Sequence, residues 1–146
     1  MTEKALRGRW SELLSAAPAE ELVGLADAVL AATPAPRCDV VRAPEVGNIV
    51  VQVREPIARQ RFYLADMLVS SAEVRLAGQP GWAMRPGHDR QAALAQAVCE
   101  AELVRRGPLA DRISDLLEEV GADRVRARAD EWARLQSTAV EFEEVN

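Results

Sequence analysis

The 146-residue chain is poor in the side chains that most reactive sites are made from. It holds one histidine, His88, and two cysteines, Cys38 and Cys99. A zinc site of nitrogen and sulfur ligands cannot be assembled from so few, and two scattered thiols suit a reducing compartment. Aromatics make up only 4% of the chain. The core is therefore expected to be aliphatic, with Trp10, Trp82 and Trp132 each filling a large share of it or of an interface. No apolar run approaches the ~20 residues of a membrane span, and the opening MTEKALRGRW has no apolar signal region. The expectation is a cytoplasmic protein with no membrane contact. Cations are outnumbered, 18 Lys and Arg against 23 Asp and Glu for a net charge of −5, which disfavours nucleic-acid binding. The phosphate-loop pattern G-x-x-x-x-G-K-S/T is missing, as are G-x-G-x-x-G, G-x-S-x-G and C-x-x-C. A nucleotide would not be held here by a standard phosphate loop, and neither a metal nor a cofactor is expected.

What is present reads as one domain over residues 1–146. Leu6, Trp10, Leu13 and Leu14 recur on one face of a first helix, which Thr2 is placed to cap. Pro18 opens a second helix running to Ala32. These form a helical hairpin over 1–33, either a packing layer or a dimer arm. After the linker Thr33-Pro34-Ala35-Pro36 the period becomes strand-like over 37–86. Cys38–Arg42 and Asn48–Arg54 are expected to pair as a hairpin about the turn Pro44-Glu45-Val46-Gly47. Arg61–Leu76 is a long strand whose first half is apolar on both faces. Both faces should then be covered, and a partner chain is implied. Ala77–Gly81 turns into a short strand at Trp82–Arg85.

Helices follow over 88–142. One opens at His88 or Asp89 and runs to about Arg106, broken by Gly107-Pro108. A second spans Asp111–Val120 and stops at Gly121. A last one runs from Ala122-Asp123 to Phe142, with Val125, Ala129, Trp132, Gln136 and Ala139 facing inward. The acidic tail around Glu141, Glu143 and Glu144 is expected to fray. The fold class is α+β: an N-terminal helical hairpin, a mainly antiparallel sheet of about four strands, and C-terminal helices packed on the sheet.

Several residues are candidates for a ligand site or an interface. Arg59 and Arg61, with Arg54, surround the loop Glu55–Gln60 as an anion site or as a solvated loop. Asp66 interrupts an apolar strand face, where a carboxylate must pair, be hydrogen-bonded or protonate. Ser70 and Ser71 follow on the same strand. His88 stands at a strand–helix junction, as an acid–base group, a phosphate ligand or a structural residue. Asp89 reads as a helix cap. No residue is assigned a catalytic role.

The chain resembles the PhnG subunit family of the bacterial phosphonate carbon–phosphorus lyase system. The resemblance begins with R-x-x-W at Arg7-Gly8-Arg9-Trp10 and with Arg42-Ala43-Pro44-Glu45-Val46-Gly47-Asn48-Ile49. It is strongest at Phe62, Asp66, Val69, Val74-Arg75-Leu76, Gly81-Trp82, Gly87 and Asp89. It closes with Ser137-Thr138-Ala139-Val140-Glu141-Phe142. The chain departs from the family pattern at five places. The glycine before the acid is Ala65, the Thr-Arg pair is Ser70-Ser71, G-R-D is Gly87-His88-Asp89, the Gly-rich turn before the long strand is Ile57-Ala58-Arg59-Gln60, and the basic phrase after the Phe is Glu143-Glu144-Val145-Asn146.

The resemblance implies a part in phosphonate use. With the sister subunits PhnH, PhnI and PhnJ, the family forms ribose 1-methylphosphonate 5-triphosphate from ATP and methylphosphonate. The nucleosidase-like chemistry lies mainly on a larger partner. This subunit is then an assembly component of a symmetric transferase complex, non-catalytic or with a partial site, dimeric, and in possible contact with ATP or methylphosphonate inside the complex. The alternative is a stand-alone homo-oligomeric protein that binds a small phosphonate or nucleotide through Asp66, His88, Asp89 and nearby arginines.

Overall fold

The computed structural model describes residues 2–35, 37–136 and 138. Helix α1 (Glu3–Ala16) starts where Thr2 Oγ1 accepts the Ala5 N–H at 3.3 Å, the cap expected of a threonine there. Helix α2 (Ala19–Ala32) follows Pro18 and carries Glu20 and Glu21 in its first turn, where the helix dipole favours anions. Three strands come next: β1 (Cys38–Arg54), β2 (Arg61–Leu76) and β3 (Gln79–Pro86). They form an antiparallel sheet in the order β1-β2-β3. Helices α3 (Arg90–Arg105) and α4 (Ala110–Gln136) complete the described chain. The α+β class holds, with helices before and after the sheet packed on it. Among the described residues no helix is long and apolar enough to cross a membrane.

The sheet has three strands rather than about four, because Cys38–Arg42 and Asn48–Arg54 belong to one strand. The expected turn at Pro44–Gly47 is a pair of irregularities within it. The register moves from Val40↔Val74 to Arg42↔Glu73 and then to Glu45↔Ser71, so β1 carries extra residues at Val41 and at Ala43-Pro44. Strand β1 is an edge strand, and an edge bulge is where a proline, lacking an N–H, is tolerated.

Helix α4 also merges two expected helices, since Gly121 does not end it. A glycine stops a helix by adopting a left-handed conformation, and Gly121 has no positive φ. It lies instead where α1 crosses, with Leu13 in ordinary contact range of any Cβ placed there. The left-handed residue that does end a helix is Arg106, at the close of α3.

The core is aliphatic, as the composition implied. Helix α3 is buried over Ala92–Leu103 apart from Leu94. It lies on the face of β2 and β3 that carries Ala72, Val74, Leu76 and Ala83, and Leu14, Leu22 and Val29 close the other side. Contact with the sheet is close enough to demand glycine at Gly81, where an added Cβ would stand 2.0 Å from the Ala97 carbonyl oxygen.

The tryptophans do not fill this core. Trp10 is half-buried against it, whereas Trp82 and Trp132 are exposed. The stripe expected to face inward on the last helix is likewise exposed at Val125, Ala129, Trp132 and Gln136, because α4 runs past the body that buries Ile113, Leu116, Leu117 and Val120. Ala139, Phe142 and the acidic tail lie outside the described residues.

Candidate functional site

The turn from β3 into α3 gathers three of the candidate residues. Gly87 has a φ of 99°, a conformation open to glycine and costly for other residues. Its N–H donates to the Leu68 carbonyl at 2.9 Å, and its own carbonyl accepts the Ser70 hydroxyl at 2.9 Å. Ser70 is fully buried by this bond. Asp89 caps α3 by accepting the Ala92 N–H at 2.9 Å. His88, held between them, is exposed and has no hydrogen-bond or ion-pair partner among the described residues. The Gly-x-Asp spacing is thus set by backbone geometry on one side and helix capping on the other.

Beneath this turn Arg85 is buried and donates from Nη2 to the Ala17 carbonyl at 3.0 Å. Burial lowers the pKa of its guanidinium, and the negative charge of Asp89 opposes that shift. The Nη1 atom of Arg85 and both amide atoms of the fully buried Gln96 have no partner among the described residues. Sites of that kind commonly take up internal water.

The remaining candidates stand apart. Ser71 is half-buried on the other face of β2, in register with Glu45 and Met84. Asp66 is exposed and directly opposite Val50, so water solvates the carboxylate that the strand pattern had suggested was enclosed. It precedes Ser70 by four residues, roughly 13 Å along a strand. Arg61 lies roughly 16 Å further out, and Arg59 is in the tip loop. The seven candidates therefore occupy four places: the β3–α3 turn, the opposite face of the three-stranded sheet at Ser71, the middle of the β1–β2 ribbon and its tip. Among the described residues no group of three or more His, Cys, Asp or Glu is arranged to hold a metal ion.

Two buried carboxylates are additional to these candidates. Glu100 accepts the Trp82 N–H, satisfying the free edge of β3, and pairs with Arg7 at 3.2 Å. Glu102 accepts from Arg105 Nε at 2.5 Å and from the Leu109 N–H at 2.9 Å, and Arg105 continues to the Thr33 hydroxyl at 3.0 Å. Gly107 makes room for Glu102, because a Cβ there would stand 2.3 Å from the carboxylate. The available signal was their placement among the alanines of a helix with no other charge between Arg90 and Arg105. Buried Cys99 has its thiol pKa pushed up to about 12, by loss of solvent first and by the Glu102 charge second. Half-buried Cys38 is raised as well, by burial and by Asp39.

The geometry therefore defines a class: an α+β protein with a helical body and a long β-ribbon whose outer part the described helices leave bare. The family follows from the sequence. Residues 5–145 match the family of the phosphonate metabolism protein PhnG, and the chain belongs to that family. Its role lies in phosphonate metabolism. Several of the residues that carried the resemblance have structural tasks here. Arg7 pairs with Glu100, Gly81 admits α3, Gly87 makes the turn and Asp89 caps the helix.

Proposed function

We infer that this chain is the accessory, assembly-forming subunit of a cytoplasmic phosphonate carbon–phosphorus lyase core complex. In this reading it works with PhnH, PhnI and PhnJ in forming ribose 1-methylphosphonate 5-triphosphate from ATP and methylphosphonate, while a larger partner holds most of the reacting groups. Family membership supports the pathway. The observation that carries the assembly role is the amount of apolar side chain this chain leaves uncovered. Val50, Phe62, Tyr63, Leu64, Met67 and Leu68 on the ribbon are exposed, and so are Val125, Trp132 and Leu135 on α4. Exposed apolar surface of that extent marks an interaction site.

Self-association is a second way to cover such surface, and a homodimer within the larger complex belongs to the same reading. Ser70, His88 and Asp89 would sit at the foot of the interface, where His88 is open to a ligand or a partner side chain. Co-expression of the tagged chain with its sister subunits tests the reading. Co-purification of a stoichiometric complex is the expected result. Recovery of this chain alone, at low salt and with all sister subunits soluble, contradicts it.

A further inference from the structure

The outer part of the β1–β2 ribbon, Asn48–Arg54 with Arg61–Leu68, meets the described helices only at its base, where Ile49 and Met67 border a hollow lined by Ser11, Glu12 and Ser15 of α1. At roughly 3.3 Å per residue it projects about 23 Å beyond the start of α3. Its two faces differ. Cross-strand register places Ile49 with Met67, Val51 with Ala65 and Val53 with Phe62 on the face turned away from α3. That makes three successive rungs without a polar side chain. The strip runs on into a hollow of about 280 Å³, where Met67, Val69, Trp82 and Met84 meet Ser11 and Ser15 of α1. The opposite face is mixed, with Asn48–Leu68, Val50–Asp66 and Gln52–Tyr63 as its rungs.

The tip is built rather than loose, and it is cationic. Glu55 accepts the Ile57 and Ala58 N–H groups and donates its own N–H to the Gln60 carbonyl, closing the loop. Arg59 is held there at a φ of 55°, a conformation that costs a non-glycine residue energy. Arg54 and Arg61 stand directly opposite each other. Like charges on one rung destabilise a ribbon unless an anion lies between them. None of the three arginines has an ion-pair partner among the described residues.

We propose that this ribbon is a plug seated in a different protein chain, which lays an apolar wall against the Ile49–Val51–Val53–Met67–Phe62 strip and meets the Arg54–Arg59–Arg61 tip with carboxylates. The proposal rests on the assembly reading above and names the element that makes the contact. A second copy of this chain is the poorer occupant. A groove of about 830 Å³ between α1 and α4 sets Arg9 and the Asp123-paired Arg126 against a single carboxylate, Glu118, too little negative charge to seat an arginine tip. Two ribbons stacked about a twofold would each still leave one face bare.

The experiment mixes the full-length chain with a sister-subunit complex purified without it, and reads binding by titration calorimetry and light scattering. The unaltered chain is expected to join. The pair Val51→Asp with Phe62→Asp should weaken binding at least ~100-fold, the order that burying two charges in an apolar contact produces. The pair Arg54→Glu with Arg61→Glu should weaken it ~10-fold or more and flatten its salt dependence, while Arg54→Lys with Arg61→Lys should bind nearly as well as the original. Urea midpoints of all variants should match the parent, which separates lost docking from lost folding.

Four results overturn the proposal. If the unaltered chain joins and both charge variants join equally well, the ribbon is not the docking element and the assembly reading survives. If the unaltered chain does not join, both fall. A homodimer broken by Val51→Asp with Phe62→Asp assigns the strip to a second copy. If the tip variants assemble normally but the complex no longer converts ATP and methylphosphonate, the arginines serve phosphate rather than a partner.

Discussion

The two halves of strand β2 meet opposite fates, and the more apolar half is the one left open. From Ser70 to Leu76 burial alternates, with Ser70, Ala72, Val74 and Leu76 enclosed under α3. From Arg61 to Leu68 every residue is exposed, Tyr63 at 74% and Leu64 at 61%. The inner half is covered because a glycine at position 81 and an alanine-rich helix let the layers approach closely. The outer half meets no such helix. An apolar strand pattern therefore records that a surface will be covered, and leaves open which chain covers it.

Four changes and one control would break or sharpen that contrast, the four in descending order of effect on stability. Glu102→Ala strands half-buried Arg105 and the Leu109 N–H. It should cost roughly 3–5 kcal/mol, as loss of one member of a buried pair does, with a matching fall in the urea midpoint. Gly81→Ala forces a methyl group into the Ala97 carbonyl and should cost roughly 1–3 kcal/mol by overpacking, with weakened near-ultraviolet signals from the tryptophans. Gly47→Ala on the ribbon meets nothing within 4 Å and is the matched control, expected to fall within about 0.5 kcal/mol of the parent.

The third change concerns pH. The Cys99 thiol keeps its proton to about pH 12 in the fold, against an ordinary thiol value of 9.0. A raised folded-state pKa leaves stability intact below the unfolded value and drains it as pH climbs toward the folded one. Stability should therefore fall between about pH 9 and 12, and Cys99→Ala should show less of that slope, measured by denaturant midpoints across the range. Native Cys99 should also resist a thiol-reactive dye at pH 8 and react on unfolding. The smallest effect on the fold is expected at the ribbon. Val51→Asp with Phe62→Asp should leave the stability of the free chain unchanged within about 0.5 kcal/mol, and a large loss would show that the ribbon belongs to this chain's own core.

Much of the architecture was legible from local chemistry. Thr2, Pro18 and Asp89 announced helix starts, and the Gly78 turn, with a φ of 84°, separated β2 from β3. Two boundaries were not legible, because the deciding contacts are distant in sequence. Pro44 reads as a turn until β2 is known to lie beside it and absorb a bulge. Gly121 reads as a stop until Leu13 of α1 is known to cross there. The candidate site was legible in its residues and not in its grouping. Asp66 and Ser70 share a strand face, yet one is solvated and the other buried by a glycine turn seventeen residues later. Glu100 and Glu102 were passed over because a carboxylate in a helix usually faces water, and only the third dimension shows α3 enclosed on all sides.

The most direct test of the central claim is amide hydrogen exchange of the full-length chain, free and mixed with its sister-subunit complex. The account predicts that binding slows exchange in peptides covering residues 48–54 and 61–68 and leaves 69–76, already closed under α3, unchanged. Slowed exchange confined to α2, α3 or the inner sheet, with the ribbon as fast as in the free chain, would contradict it.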